Sequence, residues 1–145
     1  MINVKLKYLS DKVSRPEYAT RGSLGMDLSA AIDNTFILRA GEEALVSAGV
    51  AMQIPKGYGG FIFARGGLAY KKGIIAGNGV GIIDSDYTGE VKVLLRNISD
   101  EDYTIKPGDR IAQMIFLPVE YANLVVVDKL DDTMRGSKGF GSTGK

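Results

Sequence analysis

In the run INVKLKY, residues 2–8, every second side chain is apolar: Ile2, Val4, Leu6 and Tyr8 fall on one face and Asn3, Lys5 and Lys7 on the other. Side chains alternate across a strand but recur every 3.6 residues around a helix, so this period commits the segment to β-structure. EVKVLLRN repeats it, with Val91, Val93 and Leu95 opposed to Lys92, Leu94 and Arg96. Shorter runs of the same kind are TFIL, ALVSAGV, AMQIP, GFIFA, RIAQMIF and NLVVVDK. Turn signals separate them: Asp33-Asn34, Ala40-Gly41, Pro55-Lys56-Gly57 and Lys106-Pro107-Gly108-Asp109, the last with Pro and Gly at the central positions of a type II turn. Many short strands at this spacing predict an all-β sandwich, jelly roll or barrel. Only GLAYKK, residues 67–72, has room for a turn or two of helix, and no internal repeat is present.

Composition then limits the chemistry. The 145 residues suffice for one domain with its own core. Lys and Arg number 18 against 17 Asp and Glu, too even a balance for a nucleic-acid binder, so any cations that matter must be placed locally. His and Cys are absent, which removes the usual general base, the thiolate nucleophile and the commonest transition-metal ligands. A base here is expected to be a carboxylate, and a metal a hard ion such as Mg²⁺ held by oxygen. The first residues, MINVKLKYLSDK, lack the continuous apolar core of a signal peptide, and no stretch approaches a membrane span, so a cytoplasmic protein is expected.

Five stretches depart from plain strand-and-turn economy. In GSLGMDLSA, Asp27 interrupts a strand, where an acid taken alone is usually a surface or turn residue. In GFIFARGGLAYKKG, Gly66 and Gly67 follow Arg65 at a strand-to-helix corner, where consecutive N–H groups and a guanidinium suit an anion, or where a tight turn sits beside a surface arginine. In GNGVGIIDSDYTGE, glycines flank what reads as a hairpin carrying Asp84, Asp86 and Tyr87; bare backbone there can lie against a flat ligand, and Asp84, following Ile82 and Ile83, is expected to be partly desolvated. GDRIAQMIF sets Arg110 and Gln113 among apolar positions. In RGSKGFGSTGK, Arg135 brings charge, Phe140 a stacking face, and Ser142 and Thr143 hydroxyls. Its GFGSTGK matches the G-x-x-x-x-G-K of a phosphate loop, but the expected reading is a coincidence of spacing, with no Ser or Thr and no helix to follow.

In this order and spacing the five stretches resemble the motifs of the trimeric dUTPases, the deoxyuridine triphosphate nucleotidohydrolases, over nearly the whole chain. The resemblance implies a distorted jelly-roll (β-clip) subunit over residues 1–130 and a flexible glycine-rich tail over 131–145 that closes over an active site. It implies a homotrimer with three sites at subunit boundaries and no nucleic-acid or membrane partner. It also implies Mg²⁺-dependent hydrolysis of dUTP to dUMP and pyrophosphate, which keeps uracil out of DNA and supplies dUMP for thymidylate synthesis. By the same resemblance Asp84 activates the water that attacks the α-phosphorus, and Asp27 holds the metal indirectly, through water. Arg65, Gly66, Gly67 and Gln113 fall at phosphate-gripping positions. Asn78, Ile82, Ile83, Tyr87 and Lys92 fall around the deoxyuridine pocket, with Tyr87 under the sugar. Arg135, Phe140, Gly141, Ser142 and Thr143 close from the tail, Phe140 stacking on uracil.

The chain departs from the resemblance at Gly66, where the family commonly has a serine whose hydroxyl reaches the phosphates. Two rival readings stand beside dUTP hydrolysis: a dUTP-binding homologue with catalysis weakened by Gly66, and an enzyme resembling the dCTP deaminases.

Overall fold

The computed structural model describes residues 1–139; Phe140, Gly141, Ser142 and Thr143, which the resemblance places over the substrate, lie outside the described residues. The elements are β1 (Lys5–Tyr8), β2 (Glu17–Tyr18), β3 (Met26–Ser29), β4 (Phe36–Leu38), β5 (Glu43–Gln53), β6 (Tyr58–Phe63), α1 (Gly66–Lys72), β7 (Ile74–Ala76), β8 (Gly81–Ile83), β9 (Glu90–Asn97), β10 (Tyr103–Ile105) and β11 (Arg110–Pro118). They form a four-stranded sheet, β1-β5-β9-β7, a five-stranded sheet, β2-β3-β11-β6-β8, and the two-stranded ladder β10-β4. All pairings are antiparallel.

The alternation read from the sequence selects what is buried. Along β9, Val91, Val93 and Leu95 point into the core while Lys92 and Arg96 face out. They meet Val46 and Val50 of β5 and, from the larger sheet, Leu28 of β3, Ile62 of β6 and Met114 of β11 in one apolar cluster. Among the described residues Asn97 is the one polar side chain that is buried. Its amide donates to the carbonyls of Leu38 and Glu101 at 3.0 and 2.8 Å and accepts from Ser99, tying β4 and the loop after β9 together. The turn at Lys106-Pro107-Gly108-Asp109 forms as expected: Gly108 has φ 82° and Asp109 N–H donates to the Lys106 carbonyl at 3.1 Å. GLAYKK becomes α1, ended by Gly73 in the left-handed region with φ 65°.

Two expectations need correction. GNGVGIIDSDYTGE is not a hairpin, because β7 pairs with β9 in one sheet while β8 pairs with β6 in the other. The glycines at 77, 79 and 81 carry the chain across from sheet to sheet, where Gly77 and Gly81 pack closely against Leu94 and Ile62. NLVVVDK, read as a strand, forms none: after Pro118 the described chain has no regular element, and Leu124 to Val127 are exposed. β-propensity reports fitness for a packed, paired surface, and among the described residues no strand pairs with this segment and its apolar side chains stay exposed.

Candidate active site

Asp27, Arg65, Arg110 and Gln113 meet at one end of the five-stranded sheet because β3, β11 and β6 are neighbours there. Gln113 lies opposite Asp27 on one side and Phe63 on the other, and two residues past Phe63 the chain reaches Arg65. The Asp27 carboxylate, 19% exposed, receives Arg65 Nε on Oδ1 at 2.8 Å and Arg110 Nη1 on Oδ2 at 3.1 Å. Arg65 Nη1 also donates to the Arg110 carbonyl at 3.4 Å. Gln113 Nε2 donates to the Ala64 carbonyl at 3.0 Å, in a space that exists because Gly25 has no Cβ to collide with the amide. Gly66 and Gly67 open α1 with no side chain capping it. These groups border a cleft of about 530 Å³ that Lys71 and Lys72 also line. Tyr103 stands nearby: burial, reinforced by Asp109 and opposed by Arg65, raises its hydroxyl above the ordinary tyrosine range.

Ile82, Ile83, Asp84 and Tyr87 form a second group, at the edge strand of the same sheet. β8 is the last strand in the order, so one side of its backbone faces no neighbouring strand. Ile82 is 65% exposed, and Asn78 is exposed just upstream. Tyr87 N–H donates to the Asp84 carbonyl at 3.2 Å, folding the turn after β8, and Tyr87 Oη donates to the Glu90 carbonyl at 2.9 Å. The ring lies over Gly89, where a Cβ would come within 2.7 Å of it. Lys92 Nζ pairs with Glu90 at 3.4 Å, and Ser47 Oγ donates to the same carboxylate. Asp84 is exposed, against the expected partial desolvation, because Ile82 and Ile83 turn to opposite faces of β8 and neither covers it. It lines a different cleft, with Lys5, Lys56 and Tyr121.

The two groups lie far apart. Ile83 pairs with Gly60, near the start of β6, whereas Arg65 follows its end. At about 3.3 Å per residue the intervening strand sets Asp84 roughly 17–20 Å from Arg65. Among the described residues none borders both clefts. Arg135 joins neither group through a recorded contact among the described residues; its Nε donates to the Lys138 carbonyl at 3.1 Å.

Sequence reasoning left Arg110 out of the site, although it stands three residues before Gln113. Its partner Asp27 is 83 residues away in sequence, a pairing no local pattern signals. Glu90 was also missed, and so was Gly25, though a glycine two residues before Asp27 was a visible signal.

Among the described residues, no three acidic side chains converge as a metal cage. Among the described residues Asp27 is the one acid lining the cationic cleft, and it already holds two guanidinium groups. That donor set fits an ion carried by substrate phosphates and touched by the protein through water, as Mg²⁺ ordinarily is, better than direct ligation. No helix is long and apolar enough to cross a membrane among the described residues.

Known proteins resemble this chain in sequence and in fold. Residues 11–144 match the family profile described as dUTPase. A deoxyuridine 5'-triphosphate nucleotidohydrolase of Desulfitobacterium hafniense (strain DSM 10664 / DCB-2) is 47% identical over 146 residues, covering 99% of this chain and 97% of the relative. The protein of the same name from Idiomarina loihiensis is 45% identical over 150 residues, covering 100% and 99%. Among solved structures, a mutant dUTPase of Staphylococcus bacteriophage 80alpha with dUpNHpp superposes with TM-score 0.90 at 26% identity, covering 100% of both chains.

Proposed function

The chain belongs to the dUTPase family and is a dUTP diphosphatase, and we propose that it releases pyrophosphate by water attack at the α-phosphorus in sites assembled from several subunits of a homotrimer. The observation that carries the assembly is the separation just described. A base at Asp84 and a phosphate grip at Arg65 lie on opposite ends of β6 and face different clefts. One chain cannot close both on a single nucleotide, but neighbouring copies can bring one end of each sheet together.

At such a boundary Asp84 takes a proton from water. The water oxygen bonds to the α-phosphorus, the bridging oxygen between the α- and β-phosphorus leaves, and its electron pair stays on pyrophosphate. Asp84 suits this because in a chain without His a carboxylate is the available base, and its exposure in the free subunit leaves room for a water. Arg65, the Gly66 and Gly67 backbone and the second N–H of the Gln113 amide hold the phosphates, so that positioning and charge neutralisation do most of the work. Mg²⁺ bound to those phosphates would neutralise their charge, with Asp27 holding it through water.

Selection of uracil comes from β8. The unpaired side of an edge strand offers N–H and C=O groups in fixed register, and the Ile82 and Ile83 backbone can meet the uracil edge as a strand would. Cytosine presents the wrong donors and leaves buried polar groups unmatched. Tyr87, its hydroxyl tied to Glu90, is a fixed floor for the deoxyribose that leaves no space for a 2′-hydroxyl. Asn78 and Lys92 border this pocket. The tail from Asp131 onward, including Arg135 and Phe140, closes over base and phosphates.

The test is pyrophosphate release from dUTP, dCTP, dTTP and UTP in parallel, with Mg²⁺ and with a chelator. Release from dUTP alone, dependent on Mg²⁺, is expected. Equal release from all four would overturn the selectivity argument, and ammonia release from dCTP would point to deamination.

A further inference from the structure

The β5–β9 ladder is interrupted at the start of β9, just after the turn that carries Tyr87. Ser47 pairs with Lys92 and Ala51 with Glu90, so Val91 alone faces Ala48, Gly49 and Val50, a bulge of extra residues in β5. Gly49, with φ 64°, permits the bulge, and a Cβ there would strike Val13 and Ala31. The carbonyls of Ser47 and Gly49 accept from Ala31 and Leu9, outside β9, at 2.9 and 2.8 Å.

Side chains bridge the gap. Ser47 Oγ accepts from the Gly49 N–H at 2.9 Å and donates to the Glu90 carboxylate, so one hydroxyl joins the bulge to the first residue of β9. Lys92 Nζ adds an ion pair to the same carboxylate at 3.4 Å. That pair is open to solvent and contributes little by itself, whereas the bond from Ser47 is charge-assisted and part-buried. At its backbone, Glu90 holds Tyr87. The Tyr87 hydroxyl donates to the Glu90 carbonyl at 2.9 Å and the ring lies against Gly89, while 44% of the residue stays exposed. Among the described residues the hydroxyl makes this bond alone, so the ring follows the backbone of residues 89–90. A steric filter is only as sharp as its wall is rigid.

We propose that Glu90 is a positioning residue for sugar selection: tied to Ser47 across the bulge, it fixes the carbonyl on which the Tyr87 hydroxyl rests and keeps the ring where a ribose 2′-hydroxyl collides. The proposal rests on the reading of Tyr87 as the floor of the deoxyribose. It adds the Glu90 carboxylate and Ser47, to which that reading gives no task.

The test is steady-state pyrophosphate release from dUTP and from UTP with Mg²⁺, comparing the unsubstituted protein with Glu90→Ala, Glu90→Gln and Ser47→Ala. The readout is the ratio of kcat/KM for the two nucleotides, which a loss of stability alone does not move. Without the strut, Glu90→Ala and Ser47→Ala should each lower that ratio about tenfold, through a higher KM for dUTP and a faster reaction of UTP. Glu90→Gln keeps a carbonyl oxygen for the Ser47 hydroxyl and gives up the charge opposite Lys92, so the ratio should stay within about threefold of the unsubstituted value. An unchanged ratio in the folded alanine variants overturns the proposal. So does a loss in Glu90→Gln as large as in Glu90→Ala, which would assign the effect to the Lys92 ion pair. Thermal unfolding establishes folding; if Glu90→Ala fails it, Ser47→Ala carries the same criteria. An unsubstituted protein that releases pyrophosphate from dUTP and UTP alike would overturn the underlying reading of Tyr87. A preference for dUTP that every variant retains overturns this inference alone.

Discussion

Glycines that look alike in the sequence do different work at the site. Gly25 and Gly89 are imposed by their neighbours, since a Cβ at either would strike Gln113 or the Tyr87 ring. Gly66 is not: a Cβ there would meet nothing within 4 Å, and its φ lies outside the left-handed region. Geometry therefore leaves room for a serine beside Arg65, and its absence removes a hydroxyl from the phosphate grip. A hydrogen bond to a charged group contributes roughly 1.5–3 kcal/mol, equivalent to about ten- to hundredfold in rate if it strengthens in the transition state. Gly66→Ser should accordingly raise kcat by about tenfold or more with KM little changed, while the thermal midpoint stays within a few degrees because nothing is displaced. Steady-state kinetics with dUTP checks this. An unchanged or lower kcat would mean that water or a neighbouring N–H already replaces the hydroxyl.

Among elements, the strands and the segment after them depend on the rest of the fold to different degrees. β11 is held between β3 and β6, whereas the described residues beyond Pro118 contribute no ladder, and the hydrogen bonds of Arg135 and Gly136 among them are local, to Lys138 and Thr133. Removing Arg135 to Lys145 should therefore leave the unfolding midpoint nearly unchanged. It should also lower kcat/KM for dUTP by at least about a hundredfold, since a stacking ring and an arginine would both be lost from the closed site. Circular dichroism melts and pyrophosphate release read the two halves of this prediction, and a truncated protein of full activity would remove the tail from the mechanism. The same contrast explains what the sequence disclosed. β9, β5 and β11 were legible because alternation is a local consequence of one face being buried, and the turn at Pro107-Gly108 because its dihedral angles restrict the residue types. NLVVVDK carries the same composition without the pairing, so reading it as a strand failed. Asp27 and Gln113 were found as oddities within strands. Their union with Arg110 was hidden because it depends on sheet order and on one extra residue in β11.

At the scale of the whole molecule the decisive quantity is the length of β6. A small domain with a formal charge of +1 has few cations to spare for a triphosphate, and those of the Asp27 cleft stand a strand's length from the carboxylate assigned as base. The proposed homotrimer would resolve this, because a rotation that sets the β8 edge of one copy against the Arg65 end of the next would create the same composite site at every boundary. The arrangement has a consequence that a site within one chain cannot imitate. Asp84→Asn and Arg65→Gln proteins, each pure, should be nearly inactive, because every site in either assembly carries the same defect. When the two are co-refolded in equal amounts, a boundary that draws both residues from unsubstituted positions arises in about one case in four under random assembly around the ring. Activity should return to about a quarter of the level of the unsubstituted protein, varying with mixing ratio as the product of the two fractions. Were Asp84 and Arg65 to serve the same nucleotide from one chain, every site in the mixture would still lack one of them, and no ratio would restore turnover. Mixing without refolding gives the control, since recovery should then appear only as fast as subunits exchange.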